Sequence, residues 1–201
     1  NVSTSGANGG GEILIGGNYL GKGPEPNSSV TVILDGAEIT ADALNSGDGG
    51  RVIVWSDDYT NFQGSITAKG ASDGKGGFVE TSSKDNLQAF GSVDASGGIA
   101  SGEWLLDPSN VTIGSSMSSG EVFGSTFEPN NTTATVAASS IISALQNQNV
   151  TISTHSGAAG SGNVGNITVS TSLENINTHT SGKKLTLFAS ENITVSNSIS
   201  S

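Results

Sequence analysis

Residues 49–70 read GGRVIVWSDDYTNFQGSITAKG, and residues 76–98 read GGFVETSSKDNLQAFGSVDASGG. In each, a Gly pair opens a run of β-forming residues, a polar break follows, and a second short β run ends near an alanine. The phrases share one phase. Ile66 and Val93 lie 93 − 66 = 27 positions apart, and a further step back of 66 − 39 = 27 reaches Ile39 in DGAEITADA. The small residue two places on repeats as Ala41, Ala68 and Ala95, and Gly50 and Gly77 keep the same spacing. A sustained period of about 20 to 50 residues marks a solenoid, whose units stack because none can bury its apolar face alone. Here the unit consists of short β runs separated by Gly, Asn, Asp and Ser, which predicts a parallel β-helix.

Side chains alternate between the two faces of a strand. Ile39 with Ala41, Ile66 with Ala68, and Val93 with Ala95 share one parity, so each set is expected to point inward and stack as a column. Thr40, Thr67 and Asp94 then face outward. The Gly pairs read as the corners of the coils, where glycine turns the backbone at least steric cost, often through positive φ. Gly10–Gly11, Gly49–Gly50, Gly76–Gly77 and Gly97–Gly98 are assigned to corners on this basis. A phosphate-binding loop is a poor reading of them, because no Lys-Ser/Thr pair and no helix follows.

Composition narrows the function classes. Only 12% of the 201 residues are charged and 33% are hydrophobic, so the core is thin and repetitive rather than absent. A formal net charge of -11 with 7 Lys+Arg opposes phosphate neutralisation, so nucleic acid is not an expected partner. No run approaches the roughly 20 apolar residues of a membrane helix, and membrane insertion is not expected. Without cysteine there is no disulfide, thiolate chemistry or Cys-based zinc site. The ends, NVSTSG and SNSISS, read as cuts through a longer repetitive protein.

Two interruptions organise the chain. The stretch YLGKGPEPNSSV, residues 19–30, carries two prolines and is expected to form a surface loop within β-helix coils spanning residues 1–114. Residues 115–149 form a larger insertion. Within it Ile141, Ile142 and Leu145, supported by Ala137, Ala138 and Ala144, predict a short helix near 137–147 lying against the solenoid and covering one face. β runs resume over residues 150–201 in NVTIST, NITVST, KLTLFAS and NITVSN, three of which begin with Asn. The class is therefore all-β, a parallel β-helix with a helix-bearing insertion. Eight or so coils about 4.8 Å apart give a rod on the order of 40 Å long.

These same phrases, together with GEWLLDPSNVTI at residues 102–113, resemble the repeat region of filamentous-haemagglutinin-like, two-partner-secreted adhesins of the high-molecular-weight type. The resemblance is strong over residues 9–113 and weaker to the end. It implies a right-handed β-helix in a large bacterial exoprotein, carried through a dedicated outer-membrane transporter to the cell surface, where it contributes to adhesion and virulence. Host-cell receptors, glycans or neighbouring bacterial cells are the partners it implies. The Asn-Pro-Asn-Gly type of motif found in the secretion domain of such proteins does not occur in this sequence, so the chain looks like shaft following that domain.

Parallel β-helices also host polysaccharide-active enzymes, in which paired carboxylates divide the acid and base roles. Asp57 and Asp58 are adjacent, point to opposite sides of an extended chain and sit in a polar break where Asp commonly forms turns; Asp107, before Pro108, reads as a turn, and Asp35, Asp73, Asp85 and Asp94 read as solvated. No catalytic residue is assigned. His155 and His179 sit in Ser/Thr-rich turns and read as solvated. Calcium suits Asp- and Asn-rich turns, but the Gly-Gly-x-Gly-x-Asp array is absent, so neither a metal nor any other cofactor is expected. Asn-x-Ser/Thr triplets are frequent, and Asn27, Asn110, Asn130, Asn131, Asn149, Asn166 and Asn192 each begin one; Asn27 and Asn130, in loops, are the candidate glycosylation sites. Aromatic faces can stack on sugars. Tyr19, Trp55, Tyr59, Phe123 and Phe127 form the candidate ligand surface, although Trp55, of opposite parity to Val52 and Val54, fits better beneath the neighbouring loop or helix. Other roles for such a shaft are contact-dependent toxin delivery and a self-assembling extracellular filament.

Overall fold

A computed structural model describes residues 1–115, 122–123, 126–127, 134–154, 165–174 and 182–200. The chain is mostly β, built on three parallel sheets that it visits in rotation. The first circuit is β1 (Val2–Ser3), β2 (Glu12–Ile15) and β3 (Val30–Ile33). The second is β4 (Glu38–Thr40), β5 (Arg51–Val54) and β6 (Tyr59–Phe62), and the third is β7 (Ser65–Thr67), β8 (Phe78–Thr81) and β9 (Asn86–Ala89). The fourth begins with β10 (Ser92–Asp94), β11 (Glu103–Leu106) and β12 (Val111–Gly114). Every strand of these circuits except β12 pairs in parallel with its counterpart one circuit away, giving an all-β fold of β-helix-like character.

The 27-residue phase is a physical register. Ile39 lies opposite Ile66, and Ile66 opposite Val93. All three are buried, as are Ala41, Ala68 and Ala95, so the repeat is an inward column of aliphatic and small side chains. In the second sheet Ile13, Val52, Val79, Trp104, Val150 and Leu185 form a matching row. Trp104 fills the core where the circuit shortens; its ring meets Phe62 edge-on at 6.5 Å and its indole N–H donates to Thr81 Oγ1 at 3.0 Å.

The corner glycines serve a different purpose from the expected one. None of Gly10, Gly11, Gly49, Gly50, Gly76 and Gly77 has a left-handed φ. What demands glycine is close approach between backbones. A Cβ on Gly49 would stand 2.1 Å from the Ala68 carbonyl oxygen, and one on Gly76 would stand 1.8 Å from that of Ala95. Gly50 and Gly77 each donate to the carbonyl of the alanine that opens their own loop, Ala41 and Ala68, which cinches each corner shut. Gly97–Gly98 is not a corner of this set. The fourth circuit turns at Gly102, whose N–H donates to Ala95, while Gly97 and Gly98 pack against Gly76 and Ser72 inside the preceding loop.

After β12 the chain makes an antiparallel pair, β13 (Val122–Phe123) with β14 (Thr126–Phe127), then returns as β15 (Thr135–Ala137). β15 inserts between β9 and β12 in the third sheet, occupying a place the chain had left open. α1 (Ala138–Ala144) follows directly. It does not cover a sheet face as expected. It stacks on β10 in the position of a fifth strand of the first sheet, with Ile141, Ala144 and Leu145 facing the core. Seven residues are too few for a helix to hold by propensity, so this burial is what stabilises it. Gln148, fully buried, then completes the edge of β10. Its Oε1 accepts from the Ala95 N–H at 3.1 Å and its Nε2 donates to the Val93 carbonyl at 2.9 Å, as a paired strand would.

β16 (Asn149–Ser153), β17 (Ile167–Val169), β18 (Leu185–Phe188) and β19 (Ile193–Val195) extend the second and third sheets to six and seven strands. Two of the Asn that open late runs continue a ladder begun at Asn110: Asn192 Nδ2 donates to Asn166 Oδ1 at 3.0 Å, and the Asn166 N–H donates to Asn110 Oδ1 at 3.0 Å.

Candidate functional site

The proline-containing loop is the largest departure from the repeat, and it folds down onto the outer face of the second sheet. That face carries one row of Leu14, Ile53, Glu80, Leu105 and Thr151. An adjacent row is Glu12, Arg51, Phe78, Glu103 and Asn149. Ile53 is fully buried although its side chain points away from the core, and the loop bonds to its row neighbour Glu80.

The loop fits through glycine and a short turn. Asn18 Oδ1 accepts from the Tyr19 N–H at 2.7 Å and caps a 3-10 turn at Tyr19–Gly21, in which Leu20 adopts a left-handed φ of 54°. The Trp55 indole lies against the loop, leaving no room for a Cβ: one on Gly17 would be 2.7 Å from the ring and one on Gly21 would be 2.5 Å from it. Asp57 ties the arrangement together, its Oδ1 accepting from Asn27 Nδ2 at 3.0 Å and from Trp55 Nε1 at 3.3 Å. Asp58 next to it is exposed, so the two carboxylates diverge and do not form an acid–base pair.

Glu80 is the unusual member of its row. It is fully buried, and both its carboxylate oxygens accept from the Leu20 N–H at 3.3 Å. Burial raises its pKa to about 7, with nearby Asp107 adding to the effect, while bonds from Ser82 and Leu20 and the charge of Arg51 oppose it. Beside it the Tyr19 ring stands edge-on to Phe78 at 5.8 Å and beneath the Arg51 guanidinium at 5.6 Å. Arg51 also pairs with Glu12 at 2.6 Å.

The candidate ligand aromatics divide. Tyr19 remains 40% exposed at the loop edge. Trp55 and Tyr59 are corrected: they are 3% and 2% exposed, so neither offers a ring face to a sugar. The loop covers Trp55, and burial pushes the Tyr59 hydroxyl up to about 12. Phe123 and Phe127 belong to the antiparallel pair, and their side chains lie outside the description. Asn27 is also corrected as a glycan acceptor. Its Nδ2 donates to both Gly21 O at 3.1 Å and Asp57 Oδ1, so the atom that would carry a sugar is engaged inside the loop. Asn130, His155 and His179 lie outside the described residues. Among the described residues no group of three or more His, Cys, Asp or Glu side chains is placed to hold a metal ion.

Between this loop and the far end of the second sheet runs a cleft of about 710 Å³, lined by Lys22, Trp55, Lys84, Asp107, Ser153 and Phe188 among others. A second groove, about 730 Å³, runs over the corner glycines. Sequence reading missed two participants. Glu80 was detectable, since 80 − 53 = 27 puts a carboxylate in register with Ile53. Phe188 was detectable from the alternation in KLTLFAS, where Leu185 and Leu187 face inward. No protein-family model matches the chain, and a search of curated proteins finds no match.

Proposed function

We propose that the three parallel sheets are the faces of a right-handed β-helical solenoid, and that this chain is a non-enzymatic shaft segment of a secreted bacterial surface adhesin. The observation that carries the reading is the in-register stack of circuits along one direction, with aliphatic columns inside and ladder hydrogen bonds running between rungs. Such a stack resists bending because every rung is bonded to both neighbours, which suits the projection of a contact surface away from a cell. The resemblance of residues 9–113 to two-partner-secreted adhesins supports the same reading. Attachment is to host-cell receptors, glycans or neighbouring bacteria, and delivery is through an outer-membrane transporter.

The test is binding of the labelled, folded chain to intact epithelial and bacterial cells, beside a version in which a short turn replaces residues 19–30. Saturable binding is the expected result. Absence of binding to any cell by a chain that remains folded contradicts an attachment role for this segment.

A further inference from the structure

We infer that the cleft beside the loop is a binding site for a short, uncharged saccharide, an inference that rests on the attachment reading and gives it a ligand class. The lining residues come from five consecutive strands of the second sheet. Trp55 and Asp57 follow β5, Lys84 follows β8, Asp107 follows β11, Ser153 ends β16 and Phe188 ends β18. At about 4.8 Å per strand, the distance from the Trp55 level to the Phe188 level is about 19 Å. The cleft is thus elongated along the stacking direction and matches an extended oligomer rather than a compact metabolite.

Its chemistry selects the class. Phe188 stands at one end with 65% of its surface exposed, although it belongs to a paired strand whose Leu185 and Leu187 are packed against the core. An aromatic face held open by a rigid strand is the apolar surface on which the C–H face of a sugar ring rests. Between Phe188 and the loop lie carboxylate, hydroxyl and ammonium groups, the mixed donors and acceptors that a polyhydroxylated ligand engages. Charge sets the remaining choice. Lys22 and Lys84 offset Asp57 and Asp107 locally, whereas the whole chain carries -11, so an anionic glycan meets long-range repulsion with no compensating excess of cations.

The loop makes the inner wall rigid. Leu20, Gly21 and Asn27 line the cleft, and the Glu80, Asp57 and Trp55 contacts described above hold each of them in place. Rigid walls lower the ordering cost of binding.

The test is a titration of the isotope-labelled chain with neutral tetrasaccharides of glucose, galactose, mannose and N-acetylglucosamine, and with the same glycans bearing a terminal carboxylate. Backbone amide shifts report the site. Saturable binding of a neutral glycan is expected, with shifts confined to Gly21, Lys84, Ser153, Ser190 and their neighbours. Phe188→Ala should weaken binding by about tenfold. Phe188 is exposed, so this variant keeps its fold, as the unchanged amide spectrum elsewhere will confirm. Leu44→Ala, exposed and outside the cleft, should leave affinity unchanged. Binding that ignores Phe188→Ala, or shifts over the corner glycines instead, overturns the site. Preference for the carboxylated glycans overturns the assignment of an uncharged ligand. A chain that attaches to cells but binds no glycan overturns the inference and leaves the attachment reading standing; a chain that does neither overturns both.

Discussion

Replacing Gln148 tests why the first sheet stops at four strands while its neighbours continue. Its side-chain amide supplies one acceptor to the Ala95 N–H and one donor to the Val93 carbonyl, and the residue is fully buried. Gln148→Leu keeps much of the volume but removes both partners, leaving a donor and an acceptor stranded away from water. Each such orphan costs about 1–3 kcal/mol, so the substitution is expected to destabilise by about 3 kcal/mol or more. That is a large part of the about 5–15 kcal/mol by which a domain is usually stable. Gln148→Glu should fare little better, since it keeps the acceptor but sets a carboxylate oxygen against the Val93 carbonyl. Equilibrium urea unfolding measures the total loss, and amide hydrogen exchange locates it: the Ala95 amide should exchange about a hundredfold faster, because each 1.4 kcal/mol is a factor of ten. A loss under about 0.5 kcal/mol, the range of ordinary surface substitutions, would refute the idea that Gln148 substitutes for a strand.

Three further outcomes follow from the corners and the loop. Gly76→Ala brings a Cβ to 1.8 Å from the Ala95 carbonyl and should cost about 3 kcal/mol or prevent folding, whereas Gly36→Ala, with φ 77° and open space around it, should cost only about 1–2 kcal/mol; thermal melts compare the two. Glu80 has a folded pKa raised to about 7, so its protonated form stabilises the closed loop, fully so below the ordinary carboxylate range and progressively less as pH rises towards 7. The wild-type chain should therefore lose about 2–3 kcal/mol relative to Glu80→Gln between about pH 4 and pH 8, and protection of the Leu20 amide should fall in parallel; equal pH profiles for the two chains contradict this. Asn27 should stay unmodified when the folded chain is exposed to an Asn-glycosylating enzyme, as peptide mass spectrometry will read, because Gly21 and Asp57 hold both amide hydrogens.

The repeat was legible because the rungs obey it. Ile39, Ile66 and Val93 sit at one spacing in the sequence and face one another across the sheet, and the inward parity of Ala41, Ala68 and Ala95 follows from strand alternation alone. The corner glycines could be located but not explained. A Gly pair announces a special backbone site, yet only the neighbouring rung reveals that the need is space rather than left-handed φ. Gly97–Gly98 misled because the fourth circuit is shorter, which moves its corner to Gly102. Trp55 read correctly as outward by parity and in need of a cover, but that the loop rather than the helix supplies it depends on a long-range contact that no local pattern encodes. Gln148 had no repeat partner and no signature. Its role arises only where α1 takes the place of a strand.

The central claim is that each 27-residue phrase is one circuit stacked in register on the next, and the absence of native cysteine makes cross-linking its most direct measurement. Thr40→Cys combined with Thr67→Cys joins outward-facing partners of neighbouring circuits, whose backbones stand about 4.8 Å apart, within disulfide range. Thr40→Cys combined with Asp94→Cys spans two circuits, about 9.6 Å, beyond that range. Under mild oxidation of the folded protein, the account predicts a rapid intramolecular disulfide in the first pair and free thiols in the second. Free thiols in the first pair, or equal oxidation of both, would contradict it.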